Sequence, residues 1–278
     1  MTDPFVSTSW LADRLDDPEI VIVDGSWYLP AHARDPRAEY LDGHVPGAIW
    51  FDVDKYADLS INLPHMLMQP AEFAALVGRL GVASDATIVV YDGMGLFSAP
   101  RVRWTFMVMG ANDVRILAGG LPAWRAENRA VESGETTRPI TTFHADFDPA
   151  RVAGLDDMQG FMQGGARQIL DARPAARFTG AAAEPRPGLK SGHMPGAKSA
   201  PVDTLVENGR LKSPEALRAQ FTEAGVELAT PIVTTCGSGV TAATLKLALE
   251  QAGATDVILY DGSWAEWGSR DDTQVVQG

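Results

Sequence analysis

The residue in this sequence best suited to chemistry is Cys236, the only cysteine among its 278 residues. It follows a run of β-branched residues, Ile232 to Thr235, and precedes a short loop with glycines at positions 237 and 239. Cysteine reacts as its thiolate, and converging backbone N–H groups at the start of a helix stabilise that anion. Glycine lets the chain curl into such a loop. The pattern therefore predicts a nucleophilic thiol.

A buried structural cysteine is the alternative, since free cysteine is among the most buried residue types. A core position, however, needs no Gly-x-Gly directly after it, and the segment from Val240 onward has the composition of a helix. We therefore favour the nucleophile. The predicted active-site loop comprises Gly237, Gly239, Val240 and Thr241.

The charge balance limits the partners of this thiol. There are 23 Lys and Arg against 36 Asp and Glu, which gives a net charge of −13, and no stripe of basic residues is visible. Nucleic acid is therefore not an expected partner. A small anionic substrate would be repelled by the acidic surface, so its pocket would need arginines of its own.

Several classes of protein are excluded by what the sequence lacks. A single cysteine allows no intramolecular disulfide, no Cys-x-x-Cys redox pair and no cysteine-rich zinc site. Neither a phosphate-binding loop with lysine nor a dinucleotide fingerprint is present, so we expect no metal and no organic cofactor. No signal peptide and no run of 18 apolar residues is visible. We expect a cytoplasmic protein without a membrane partner.

An internal repeat indicates the elements that must position the thiol. HVPGA at His44 recurs as HMPGA at His193, and an apolar run ending at Asp24 recurs before Asp171. In each half, short apolar strands alternate with helical windows. This alternation predicts an α/β fold of two tandem domains, each a mostly parallel sheet flanked by helices. Both halves carry the repeated histidine, so we expect it to be structural.

The repeat also predicts domain boundaries and an asymmetry between the halves. We expect a first domain at 1–133, a linker at 134–153 and a second domain at 154–278, because the stretch between the halves is polar and rich in Gly and Pro. Aligning the strands places Asp92 where the second half has Cys236, in a loop about a residue longer. The first domain therefore lacks the nucleophile.

Taken together, these motifs make the chain resemble the rhodanese family of sulfurtransferases, whose catalytic cysteine occurs only in the second of two tandem rhodanese-like domains. The loop CGSGVTA is similar to that of the members that use 3-mercaptopyruvate. The resemblance covers nearly the whole chain. It rests on DGSWYLP, HVPGAIWFDVD, LPHML, DARPAARF, EPRPG and DGSWAEWG.

The resemblance implies which residues bind the sulfur donor. In the mercaptopyruvate-specific members two arginines hold the donor's carboxylate and ketone, and the matching positions are Arg177 in DARPAARF and Arg186 in EPRPG. Members that use thiosulfate carry cationic side chains in the loop, whereas Gly237 and Ser238 occupy those positions here. We therefore expect mercaptopyruvate as the donor, with thiosulfate as the alternative.

The resemblance also implies a Ser, His and Asp set that manages protons. Ser238 of the loop, His65 of LPHML and Asp54 of FDVD match the family's positions. In such a set the carboxylate fixes the imidazole tautomer and the imidazole moves the proton. Spacing alone leaves a second interpretation open, in which His65 is a solvated loop histidine.

The implied reaction is a double displacement. Cys236 takes sulfur from a small-molecule donor as a persulfide, pyruvate leaves, and a thiol acceptor, which can be a small thiol, cyanide or a thioredoxin-type protein, removes the outer sulfur. Related phosphatases use Cys-x5-Arg, but Ala242 stands at that arginine position. A non-enzymatic persulfide carrier is the other alternative, and it would not need the two arginines.

Overall fold

The computed structural model describes residues 3–278 and divides into two compact units. Unit 1 comprises the chain up to Asp58, Leu67–Asp148 and Asn208–Arg210. Unit 2 comprises Leu59–Met66, Pro149–Glu207 and Leu211–Gly278. The contacts thus group residues 134–148 with unit 1 and the short segment 59–66 with unit 2. The domain boundaries at 133 and 154 stay a prediction.

Unit 1 is built on a five-stranded parallel sheet in the order β1-β5-β4-β2-β3. Its strands are β1 (Phe5–Val6), β2 (Ile20–Asp24), β3 (Ile49–Trp50), β4 (Thr87–Tyr91) and β5 (Asp113–Leu117). Its helices are α1 (Thr8–Ala12), α2 (Pro36–Asp42), α3 (Pro70–Arg79), α4 (Ala99–Val108) and α5 (Gly120–Ala126), with a 3₁₀ turn at Pro30–His32.

Unit 2 repeats this plan with a sheet in the order β6-β12-β11-β7-β8, again parallel. Its sheet strands are β6 (Val152–Ala153), β7 (Gln168–Asp171), β8 (Lys198–Ser199), β11 (Ile232–Thr235) and β12 (Val257–Tyr260), and β9 (Val206–Glu207) pairs with β10 (Arg210–Leu211) in a hairpin. Its helices are α6 (Leu155–Gly164), α7 (Ala175–Phe178), α8 (Pro214–Glu223), α9 (Val240–Ala252) and α10 (Ser263–Trp267), with 3₁₀ turns at Pro149–Arg151 and Val202–Thr204.

The central strands are buried along their length, which explains their continuous apolar runs. All five residues of β2 and all four of β11 and β12 are buried. A parallel sheet needs helices on both faces, and the alternation of strands and helices along the chain supplies them. The fold class predicted from the repeat is confirmed.

The repeated histidines have the same structural role in the two units. The His44 ring stacks on Tyr40 with centroids 4.2 Å apart, and its Nδ1 lies 2.8 Å from the Tyr40 carbonyl oxygen. The His193 ring stacks on Phe178 at 3.8 Å, with Nδ1 2.8 Å from the Phe178 carbonyl oxygen. A carbonyl oxygen can only accept, so each Nδ1 donates. Each histidine thereby ties its loop to a preceding helix.

Candidate active site

Cys236 lies directly after β11, the middle strand of the unit 2 sheet, at the carboxyl edge where parallel α/β sheets bind ligands. Its side chain is buried, with 2% exposed. The helix α9 begins at Val240, only four residues further along the chain. The predicted order of strand, thiol, short loop and helix is therefore present.

The loop between the thiol and α9 requires glycine. Gly239 caps the helix in the left-handed region, with φ of 80°, a conformation that a side chain disfavours. Val240, which is buried, and Thr241 form the first turn of α9. This arrangement points the amino end of a 13-residue helix, with the positive end of its dipole, toward the loop that carries Cys236.

A second helix fixes the back of this loop. At the start of α10 the Trp264 N–H donates to the Cys236 carbonyl oxygen and the Ala265 N–H to that of Gly237, each at 2.9 Å. The Cys236 N–H donates to Ser263 Oγ at 3.3 Å, and Ser263 in turn donates to the Tyr260 carbonyl at 2.9 Å. The thiol-bearing backbone is therefore held in one conformation.

Ser263 is a site residue that the sequence reasoning missed. It is fully buried and has a positive φ of 48°, which is uncommon for a residue with a side chain. The signal lay in the motif DGSWAEWG, one of the motifs on which the family resemblance rests. Trp264 and Trp267 do belong to the unit 2 core, but the backbone of the same motif supports Cys236.

The structure brings His65 and Ser238 together within unit 2. His65 Nδ1 lies 3.1 Å from Ser238 Oγ and 3.2 Å from the Ser238 carbonyl oxygen, and both residues are only 5% exposed. Because the carbonyl can only accept, this geometry favours a proton on Nδ1. His65 also has a positive φ of 63°. It is a buried, hydrogen-bonded residue, so the interpretation as a solvated loop histidine is wrong.

Asp54, the third member of the predicted set, lies in unit 1. It follows β3 in the chain and is exposed. Its Oδ1 accepts a hydrogen bond from Trp27 Nε1 at 2.9 Å. The predicted pairing of this carboxylate with His65 stays a prediction.

Arg177, one of the two predicted donor-binding arginines, lies beside the Cys236 loop. A Cβ placed on Gly237 would lie 3.1 Å from Arg177 Nη2. Arg177 donates through Nε, at 3.2 Å, and through Nη2 to the carboxylate of Glu184. This uses one edge of the guanidinium and leaves the Nη1 edge for a further acceptor. Arg186 lies in the loop between α7 and β8 and is partly exposed.

A buried ion cluster that the sequence reasoning did not find supports Arg177. Arg173 is 1% exposed and donates to Asp171 at 2.6–3.1 Å, to Glu184 at 2.7 Å, and stacks over the Trp264 ring at 4.0 Å. Burial lowers the pKa of Arg173, but the carboxylates of Asp171 and Glu184 outweigh it, and the net shift is upward. Glu184 therefore joins this fixed cation to Arg177.

Within residues 3–278, no cluster of three or more His, Cys, Asp and Glu side chains is suited to hold a metal ion. No helix in the same range is both long and apolar enough to cross a bilayer. The groups available for chemistry in unit 2 are thus a loop-borne thiol, a serine and histidine pair, and an arginine held by a buried carboxylate.

The two units are parallel α/β folds with one strand order, and the second carries a cysteine between its central strand and a helix. The model of the rhodanese-like domain matches residues 7–127 and 155–270. The chain belongs to the rhodanese family.

Individual relatives cover nearly the whole chain. The 3-mercaptopyruvate sulfurtransferase of Escherichia coli is 44% identical over 98% of this chain and 97% of its own length. The mitochondrial thiosulfate/3-mercaptopyruvate sulfurtransferase 1 of Arabidopsis thaliana is 40% identical over 99% of this chain and 78% of its own. The crystal structure of SseA, a 3-mercaptopyruvate sulfotransferase from E. coli, superposes with a TM-score of 0.87 at 42% identity, covering 95% of this chain and 99% of that one.

Proposed function

We propose that this protein is a 3-mercaptopyruvate sulfurtransferase. The observation that carries the proposal is the thiol of Cys236 at the amino end of α9 with the guanidinium of Arg177 beside its loop. The close relatives named for this activity, which match this chain over nearly its full length, support it.

The reaction begins with the Cys236 thiolate, which attacks the sulfur of 3-mercaptopyruvate. A new S–S bond forms and the donor's C–S bond breaks, and its electron pair passes to the carbon of the pyruvate enolate. Protonation of that carbon gives pyruvate and leaves a persulfide on Cys236. An acceptor thiolate then attacks the outer sulfur and restores the Cys236 thiolate.

The arginines hold the donor in this scheme. Arg177 presents its Nη1 edge to a donor oxygen while Glu184 holds the opposite edge. Arg186 provides the second cation. Gly237 matters for the same reason, because a side chain there would press against Arg177 Nη2. Neither Gly237 nor Ser238 has a cationic side chain that could bind thiosulfate. Mercaptopyruvate is therefore the better donor.

Protons are managed by Ser238 and His65, with Asp54 as the residue that orients the imidazole. The short distance between His65 Nδ1 and Ser238 Oγ supports a proton path that ends at the loop next to Cys236. The acceptor is cyanide or a thiol, either small or carried by a thioredoxin-type protein, and we propose that the reaction takes place in the cytoplasm.

Donor choice is tested by kcat/KM for 3-mercaptopyruvate and thiosulfate. Loss of one charge-assisted contact lowers transition-state binding by roughly 10- to 1000-fold, so Arg177→Ala and Arg186→Ala should show that loss with mercaptopyruvate and a smaller one with thiosulfate. Arg218→Ala, which removes an arginine of α8 whose Nε donates to the Ala252 carbonyl oxygen at 3.0 Å, is the matched control. Equal losses with both donors, or a wild-type preference for thiosulfate, would refute the assignment.

The proton path is tested with His65→Ala and Asp54→Asn, singly and combined. Each should lower mercaptopyruvate turnover, and the double variant should lose much less than the sum, because groups that act as a unit fail together. The exposed His144 provides a control substitution, His144→Ala. Full activity of His65→Ala across the pH range would remove His65 from the mechanism, and strictly additive losses would remove its partnership with Asp54.

A further inference from the structure

A cavity in unit 1 is formed by residues that play no part in the proposed sulfur transfer. Its volume is about 430 Å³, within the usual range for small-molecule sites. The walls come from the first turn of α2, the edge strand β3 with the loop after it, the end of α3, and the extended segment 135–138. Four separate stretches of unit 1 thus enclose one space.

The cavity is cationic, although the chain as a whole carries a net charge of −13. Its walls include four basic side chains, Arg37, Lys55, Arg79 and Arg138, and two acidic ones. A surface of the opposite sign to the protein concentrates small anions locally.

Both acidic residues of the cavity already have cationic partners. Glu135 pairs with Arg37, and Asp52 Oδ2 lies 3.2 Å from Lys55 Nζ. Across residues 3–278, no carboxylate forms an ion pair with Arg79 or Arg138. Burial lowers the pKa of Arg138, with no acidic group to oppose the shift. Two guanidinium groups of the cavity are therefore left without a counter-ion.

Hydrogen-bond donors without acceptors cluster around the same space. Arg37 Nη1, Trp50 Nε1 and Arg138 Nε are buried, and the residues described, 3–278, offer them no acceptor. Buried polar groups are nearly always hydrogen-bonded, because an unsatisfied donor costs free energy. All three are N–H groups, so each of them needs a hydrogen-bond acceptor.

We propose that this cavity binds a small oxyanion, a carboxylate or phosphate group, held by the guanidinium groups of Arg79 and Arg138 with Trp50 Nε1 donating from the wall. Carboxylate and phosphate oxygens match the planar fork of arginine and provide only acceptors. Unlike the Cys236 loop, this cavity contains no cysteine, and we assign it a binding role alone.

The test is isothermal titration of the full-length protein at low ionic strength with two probes, inorganic phosphate and malonate, which distinguish the two sources of oxyanion. We expect one of them to bind at the cavity, and Arg79→Gln and Arg138→Met each to weaken that binding by about tenfold or more. Arg129→Met removes an arginine that pairs with Glu127 outside the cavity, and it should leave the affinity unchanged.

The Cys236 loop is a competing anion site, and Arg177→Ala separates the two. Affinity retained in Arg177→Ala but lost in Arg79→Gln supports the cavity. Affinity lost only in Arg177→Ala, unchanged affinity in Arg79→Gln, or no binding of either probe overturns the proposal. Arg79 is exposed, so its substitution leaves the fold intact if Arg138→Met does not fold. Sulfur transfer is not measured, so the outcome is independent of the proposed function.

Discussion

The two units share a strand order but differ in the residue that comes directly after the middle strand of each sheet. In unit 1 the strand β4 is followed by Asp92, whose Oδ2 accepts N–H bonds from Phe97, Ser98 and Ala99 at 2.7–2.9 Å and whose Oδ1 accepts one from Met94 at 2.9 Å. In unit 2 the strand β11 is followed by Cys236. The Asp92 carboxylate thus accepts hydrogen bonds from the N–H groups at the start of α4, whereas the Cys236 thiol occupies the equivalent position before α9.

The loops that follow Asp92 and Cys236 also differ in length. Residues 93–98 separate Asp92 from α4, whereas only residues 237–239 separate Cys236 from α9. The unit 1 loop is therefore three residues longer, not about one residue longer as the alignment of the strands predicted. The added residues wrap around the carboxylate, whose two oxygens accept their N–H groups. In unit 2 only three residues lie between the thiol of Cys236 and α9.

A second difference lies at the ends of the neighbouring strands. In unit 2, Asp171 binds Arg173, and in unit 1 the equivalent Asp24 accepts from the Ser26 N–H and hydroxyl instead. Burial, opposed by the Ser26 bonds and aided by repulsion from Asp92, raises the pKa of Asp24 from 3.8 to about 6. Within residues 3–278, the buried carboxylate has a counter-ion in unit 2, which contains Cys236, and has none in unit 1. Substitutions of these carboxylates and of the thiol test the contrast between the units.

Asp171→Asn should have the largest effect on stability. It leaves the buried guanidinium of Arg173 with Glu184 as its only acidic partner, and breaking a buried ion pair from one side costs about 3 to 5 kcal/mol. Urea unfolding measures the loss. Asp256→Asn, which breaks the exposed pair with Arg167, should cost less than about 1 kcal/mol. Equal costs for the two variants would show that the cluster is not needed for folding.

Asp92→Ala should destabilise the protein by about 3 kcal/mol, since four backbone N–H groups lose their side-chain acceptor. Cys236→Ala should cost only about 1 kcal/mol, because it removes one atom and keeps the backbone hydrogen bonds that hold the loop. The free energies of unfolding are compared directly. If Cys236→Ala proved as costly as Asp92→Ala, the thiol would be a structural residue and the contrast between the loops would fail.

Asp24→Asn should stabilise the protein, by about 2 to 3 kcal/mol at pH 8. The folded state binds the Asp24 proton more tightly than the unfolded state, because its pKa is raised from 3.8 to about 6. Wild-type stability from this group is therefore greatest below about pH 4 and is lost as the pH rises through 6. Asn keeps an acceptor for Ser26 and has no charge to desolvate.

The check is the difference in urea midpoint between Asp24→Asn and wild type at pH 8 and at pH 4.5. The difference should be large at pH 8 and shrink toward pH 4.5. A gain that is independent of pH would assign the effect to packing and not to the buried charge.

Local patterns carried most of what the sequence could predict. One continuous stretch of sequence contains the strand, the cysteine, the glycine loop and the helix, and the internal repeat can be read from the sequence. Both features could therefore be predicted. The ion pair between Arg173 and Glu184 could not be predicted, because it joins residues across a loop whose path no sequence periodicity encodes. The contact of His65 with Ser238 links positions far apart in the chain and rested on family resemblance. The unit 1 cavity was beyond sequence reasoning, since four distant segments build it.

The most direct test of the account is the mass of the intact protein after incubation with 3-mercaptopyruvate and no acceptor. We predict that wild type gains one sulfur atom, which dithiothreitol removes, and releases pyruvate in equal amount, whereas Cys236→Ser gains none. Sulfur bound to Cys236→Ser, or pyruvate released by it at the wild-type rate, would contradict the claim that this thiol carries the sulfur.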